Sequence, residues 1–418
     1  MTQPDQQNVV ILGAGHAGGS AAAALRQLGH SGAITLIGEE TTPPYQRPPL
    51  SKAYLKGEIG LERLLLKPTS FYASQHIELR LGTTAAAIDC STRHVQLTDG
   101  GVLNYDQLII ATGATPRHLT VPGAELGGVQ VLRRLADVET LKPRFRAGTR
   151  LVVIGAGYIG LEASAAARHM GLQVTVLEAA PRVLARVAGE PLSDFYTQEH
   201  RAQGVSIRLD AQVTRLHGEA GRVTGVELTG GEIVAADIVL VGIGVTPNSQ
   251  LAAAAGIHCS NGILVDEDAR TSDPAVFAIG DCSLRPLTHY AREGRLESVH
   301  NALEQARLAA NAILGRPRPS VELPWFWSDQ YDLKLQTAGL LEGHDRLVIR
   351  GDPASHRFAC YYLKNDRLLA VDAVNSPADF IFARKIAGRQ FSLDIDTLGA
   401  VTTDLKQLAE QLLEADKR

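Results

Sequence analysis

Two stretches of this sequence could do chemistry through the backbone alone. Gly13-Ala14-Gly15-His16-Ala17-Gly18 satisfies GxGxxG. In that spacing the first glycine permits a tight turn, the second lets a pyrophosphate approach the main chain, and the third lets the following helix pack on its strand. The N–H groups at the helix start then face the phosphates. His16 and Ala17 lie inside the loop and are assigned with it. The pattern recurs at Gly155-Ala156-Gly157-Tyr158-Ile159-Gly160. Each copy is followed by an apolar run ending in an acid, Glu39 in the first and Glu178 in the second. A carboxylate there accepts hydrogen bonds from ribose hydroxyls and repels a 2′-phosphate, so Glu178 favours NADH. The nearby Arg182 and Arg186 leave some use of NADPH open.

The elements that must position these loops repeat as well. Residues 8–40 and 150–179 share one order: a β-branched apolar run, the glycine turn, an Ala-rich helical stretch and a second apolar run. Each is half of a dinucleotide-binding βαβ unit, and two copies imply two nucleotide sites. Residues 108–113, 238–244 and 276–280 read as strands ending in Gly113, Gly244 and Gly280, with Thr112 beside the first. The carboxyl ends of parallel strands are where ligands sit in open α/β sheets. The expected fold is α/β, with two Rossmann-like dinucleotide-binding domains, the second inserted into the first, and a C-terminal α+β domain. The boundaries read as 1–115 with 245–323 for the first, 116–244 for the second, and 324–418 for the last. From about residue 324 the texture changes to short alternating runs, closed by a weakly amphipathic helix over 405–413.

A length of 418 residues calls for two or three cores, and 45% hydrophobic with 21% charged residues fits a globular protein. A net charge of −4 gives no electrostatic reason to expect nucleic acid. The opening MTQPDQQ is not a basic segment followed by an apolar core, and no apolar run is long enough for a bilayer, so a cytoplasmic protein is expected. Cys90, Cys259, Cys282 and Cys360 are scattered, and the 13 histidines form no HxH or HExxH, so neither a disulfide nor a metal site is expected.

Longer motifs carry a family resemblance. The paired loops, LIIATGATPR at 108–117, GIGVTPN at 242–248 and TSDPAVFAIGDC at 271–282 resemble the glutathione-reductase-type flavoproteins. Within that superfamily, PYQRPPLSKAYL at 44–55, ESVHNALEQA at 297–306 and PWFWSDQY at 324–331 resemble the NADH-dependent ferredoxin reductases of the putidaredoxin reductase type. The resemblance implies FAD at the first loop and NADH at the second. Relatives that reduce disulfides carry a cysteine pair after the first ribose acid or a CxxC in the second nucleotide domain. Here residues 41–52 read TTPPYQRPPLSK, and neither place holds a cysteine. Electrons are therefore expected to leave for a small redox protein.

The same resemblance implies residue roles. Lys52 should lie against the flavin and pair with Glu162. Arg47, Ala85, Thr112, Gly113, Arg133, Gly280 and Asp281 should contact FAD, Asp281 at the ribityl or pyrophosphate region. Val299 should aim a backbone N–H at the flavin pyrimidine ring. Ile159 and Gly244 fall to the NADH site. Tyr158 either covers the flavin and yields to nicotinamide or packs as an ordinary aromatic. Trp327, with Trp325, is either at the flavin edge as an electron exit or a packing anchor. Arg63, Lys67, Arg307, Arg316, Arg384, Lys385 and Arg389 are basic candidates for docking an acidic ferredoxin. The implied activity is electron transfer from NADH to a [2Fe–2S] ferredoxin serving a cytochrome monooxygenase or dioxygenase, by a monomer or weak dimer. Rubredoxin reductase, or an NADH-responsive flavoprotein resembling apoptosis-inducing factor, stands as the alternative.

Overall fold

A computed structural model describes residues 3–415. The residues at either end that the domain boundaries include lie outside it. Packing sorts the chain into two units. One runs through Arg47, resumes over Gly60–Thr115 and again over Thr246–Pro324; the other holds Pro48–Ile59, Pro116–Val245 and the chain from Trp325.

The first unit is built on a five-stranded parallel sheet in the order Val276–Ala278, Gln107–Ile110, Val9–Leu12, Ile34–Gly38, Ile77–Leu81. Val9–Leu12 is the central strand, with Val9 opposite both Ile34 and Gln107. It is covered on both faces, which is why it reads as an unbroken apolar run. Val9 and Ile11 pack into one cluster with Ala21, Ala22 and Leu25 of helix His16–Gln27 and with Ala302, Ala306 and Ala309 of helix Val299–Ile313. Val10 and Leu12 point the other way, into a cluster with Ile88, Val95 and Leu97 from the antiparallel sheet Ala85–Asp89, His94–Leu97, Val102–Asn104. The side-chain period of two in a strand divides these residues between the two cores.

The second unit repeats the design. Its parallel sheet runs Ser206–Arg208, Gln173–Leu177, Arg150–Ile154, Ile238–Val241, Val129–Gln130, with helix Tyr158–His169 following the second glycine loop. The same unit contains a five-stranded antiparallel sheet in the order Trp325–Gln330, Leu333–Gly339, Arg367–Val374, Arg357–Lys364, Arg346–Asp352. Helices Pro377–Ile386, Ile395–Gly399 and Leu405–Ala415 complete this region. The fold is the one expected: two Rossmann-like parallel sheets and an α+β region. In the terminal sheet, polar residues such as Arg346 and Lys364 extend the strand pairing beyond the apolar stretches. Among the described residues no helix is long and apolar enough to cross a membrane.

Candidate functional site

In the first unit the three loop glycines are placed for different reasons. Gly13 has φ +113°, and a β-carbon on it would fall 2.2 Å from the Ala111 carbonyl oxygen; one on Gly18 would fall 2.0 Å from the carbonyl oxygen of Gly13. Those two glycines close the strand–turn–helix. Around Gly15 nothing lies within 4 Å of such a carbon. Gly15 is also the N-cap, and no side chain caps the helix. By contrast, helix Val299–Ile313 has Ser298 Oγ accepting from the Asn301 N–H. An uncapped helix start leaves N–H donors and the positive end of the helix dipole facing that space, which suits an anion.

Side chains around this loop fit a polar ligand. Nδ1 of His16 is buried without a hydrogen-bond partner, and burial together with the Arg47 guanidinium lowers the imidazole pKa, so the ring is neutral near pH 7. Orphaned buried nitrogens of this kind normally find partners. Arg47 is held by Glu40 at 3.0 Å, and Tyr45 also donates to Glu40. Glu39 stands exposed at the end of its strand. Thr112 and Gly113 are stitched to Asn248: Thr112 Oγ1 donates to its carbonyl at 2.8 Å, and Asn248 N donates to the Gly113 carbonyl at 2.9 Å. Gly280, at φ +76°, donates its N–H to Gln305, and the Asp281 carbonyl accepts from Arg295. Val299 opens its helix as expected. Ala85 sits in the antiparallel sheet, opposite Leu97.

The second unit has a matching loop. Gly155 has φ +103°, and β-carbons on Gly155 and Gly160 would meet backbone oxygens at 2.4 and 2.2 Å, whereas the space at Gly157 is open to 4 Å. Gly157 is again an N-cap without a capping side chain. Glu178 accepts from the N–H of Ala156 at 2.6 Å and of Ala180 at 2.9 Å, so it braces the loop beside which a ribose would lie. Arg182 is occupied internally, donating to the carbonyls of Ala185 and Ala188 and to Ser193. Arg186 lies beside Gly244. Ile159 is exposed. Arg133 and Arg134 give their backbone N–H groups to Asp137 at the start of helix Leu135–Leu141.

Also in the second unit, Lys52 Nζ lies 2.6 Å from Glu162, whose side chain is 4% exposed. Glu162 accepts further bonds from Ser51 at 2.5 Å and Ser328 at 2.6 Å. Such donors offset the desolvation of a buried carboxylate. Tyr158 stacks on Phe326 with ring centroids 4.6 Å apart, and desolvation together with the Asp372 carboxylate holds its phenol protonated. Trp325 and Trp327 share one face of their strand, 5.6 Å apart, and Arg384 lies over Trp325 at 5.5 Å. Ser51, Ser328, Phe326 and Asn248 were not singled out from sequence. All four sit inside motifs quoted for other residues, and serine carries no signal until its partner is known.

The cysteines show no paired or activated thiol. All four are free, and burial raises each thiol pKa, so none is a thiolate near neutrality. Cys282 is fully buried, 3.3 Å from the Ile279 carbonyl. Among the described residues no group of three or more His, Cys, Asp or Glu side chains could hold a metal.

Comparison with known proteins agrees with this arrangement. Residues 7–306 match the family described as pyridine nucleotide-disulphide oxidoreductase, and residues 325–409 match the one described as reductase C-terminal. The chain is 45% identical over 404 residues to a probable ferredoxin reductase of Castellaniella defragrans, covering 96% of this chain and 99% of that one. It is 43% identical to putidaredoxin reductase of Pseudomonas putida, covering 96% of each. The crystal structure of a covalent putidaredoxin reductase–putidaredoxin complex superposes with a TM-score of 0.94 at 43% identity, covering 97% of this chain and 99% of that chain.

Proposed function

The chain belongs to the pyridine nucleotide-disulphide oxidoreductase family, and we propose that it carries electrons from NADH through FAD to a [2Fe–2S] ferredoxin supplying a cytochrome monooxygenase or dioxygenase. The observation that carries this reading is the pair of glycine loops, each with an open position at its middle glycine, in a chain whose four cysteines are all free. The relatives named as ferredoxin reductases, aligned over nearly the whole chain, support the choice of acceptor. When bound, FAD would take one electron pair from NADH as a single hydride and pass the electrons on one at a time, which bridges nicotinamide and one-electron chemistry.

The chain's own residues orient and tune that exchange. The first loop, with His16, Ala17, Glu39 and Arg47, holds the FAD pyrophosphate and ribose; Ala85, Thr112, Gly113, Arg133, Gly280, Asp281 and the Val299 N–H are assigned to the rest of FAD. The second loop, Ile159, Glu178 and Gly244 hold NADH. Internal occupation of Arg182 supports NADH over NADPH, because that guanidinium is not available to a 2′-phosphate. Lys52, braced by Glu162, supplies positive charge where negative charge arrives with the hydride. Tyr158 is the aromatic cover that nicotinamide displaces, and Trp327 lies on the electron-exit side. We assign residues 1–115 with 245–323 to FAD binding, 116–244 to NADH binding and 324–418 to a C-terminal α+β domain, in a cytoplasmic monomer or weak dimer.

The test is NADH-driven cytochrome c reduction with purified ferredoxins and rubredoxin in parallel. High turnover with a [2Fe–2S] ferredoxin is expected; turnover with rubredoxin alone would replace the acceptor. Slow flavin reduction without transfer to any acceptor would favour an NADH-responsive binding protein.

A further inference from the structure

The Lys52–Glu162 pair is the near end of a longer buried chain. Glu162 uses one carboxylate oxygen for Lys52 and Ser51 and the other for Ser328. Ser328 Oγ accepts from Gln330 Nε2 at 3.2 Å, Gln330 Oε1 lies 2.8 Å from His200 Nε2, and His200 Nδ1 lies 3.0 Å from the Tyr331 hydroxyl. Ser328, Gln330 and His200 are at most 1% exposed, so water does not compete for these bonds. Ser328 and Gln330 sit two apart on one face of strand Trp325–Gln330, and His200 comes from helix Glu190–Ala202.

The direction of every bond follows from its neighbour. Ser328 gives its only proton to the carboxylate, so it must accept from the Gln330 amide. The amide oxygen must then accept, which fixes the proton of His200 on Nε2 and leaves Nδ1 to accept from Tyr331. Burial lowers the His200 pKa and keeps the ring in this neutral form. All four donors thus point toward Glu162, and hydrogen bonds aligned in series polarise one another.

We propose that His200 is a positioning residue for the Lys52–Glu162 pair, acting through Gln330 and Ser328. By drawing carboxylate charge toward Ser328, the chain leaves the Lys52 ammonium less completely neutralised and its field at the flavin stronger. The inference rests on the assignment of Lys52 to the flavin.

The test measures, in the holoprotein, the flavin midpoint potential and the rate of flavin reduction by NADH in a double-mutant cycle. His200→Leu and Ser328→Ala should each move the potential in the negative direction and slow reduction by roughly three- to tenfold. His200→Gln, which restores a donor at the Nε2 position, should return both toward the parent. His200→Leu should add little in the Ser328→Ala background, which a general loss of packing would not reproduce. If His200→Leu gives no folded holoprotein, Gln330→Leu takes its place in the cycle. Lys52→Met separates the two failures. If it leaves the potential unmoved, the assignment of Lys52 falls and the inference with it. If it moves the potential while His200→Leu does not, or if the His200 effect persists undiminished beside Ser328→Ala, the inference alone is overturned.

Discussion

Both oxygens of Glu178 accept a backbone N–H, so this residue shapes the loop it was expected only to complement. Its replacement should therefore cost more than one ribose contact. Glu178→Ala should raise KM for NADH by about tenfold or more, and Glu178→Arg should also raise the ratio of kcat/KM for NADPH to that for NADH. Steady-state kinetics with both nucleotides checks this, and an unmoved ratio would remove Glu178 from the ribose site. A second residue was not legible at all. Asp372 is fully buried, accepts from Thr337 and Tyr362 at 2.8 Å each, and has its pKa pushed from 3.8 to about 6 by desolvation. Between those values the folded state holds a proton that the unfolded state has released, so stability falls as pH rises through the window, by on the order of 3 kcal/mol. Asp372→Asn mimics the protonated acid, and its melting temperature should gain on the parent as pH goes from 4 to 7; a gap independent of pH would contradict this. A lone aspartate in AVDAV carries no sign of burial, because its partners come from other strands.

At the scale of elements, the glycine loops separate folding from binding. A methyl on Gly18 collides with the Gly13 carbonyl, whereas one on Gly15 meets nothing and φ there is −83°. Gly15→Ala should leave the melting temperature of the apoprotein within a few degrees of the parent, with an expected change of under about 1 kcal/mol, yet weaken FAD binding by at least about tenfold. Gly18→Ala should destabilise the apoprotein itself. Calorimetry of the apoproteins and FAD titration distinguish the two; equal damage from both would mean that the Gly15 space is not a ligand cradle. These strand–turn–helix units were readable because strand, turn and helix are contiguous and the strand is covered on both faces. The surroundings of Glu162 were less so: Lys52 was expected from the family pattern, but Ser51 lies 111 residues away and Ser328 lies 166 away, on a strand whose register no local pattern sets. Sheet order in the terminal region was hidden for the same reason.

For the whole molecule, the net charge of −4 conceals local differences. Arg384 and Lys385 lie exposed on helix Pro377–Ile386, with Arg389 just beyond it, and Arg384 stacks over Trp325. Arg316, by contrast, donates to the Leu28 carbonyl, and Lys67 lies over the Phe71 ring. Lys385→Glu should raise KM for ferredoxin several-fold and flatten its dependence on ionic strength while leaving ferricyanide reduction intact, since exposed charges govern encounter more than chemistry. Loss of both activities would point to misfolding instead. The proposed activity requires electrons to leave singly for an iron–sulfur acceptor. Anaerobic addition of NADH to a catalytic amount of this protein and an excess of [2Fe–2S] ferredoxin, followed by cluster absorbance, tests that directly. Two clusters should be reduced and one proton released per NADH oxidised. Reduced flavin beside clusters that stay oxidised, across a panel of ferredoxins, would contradict that activity.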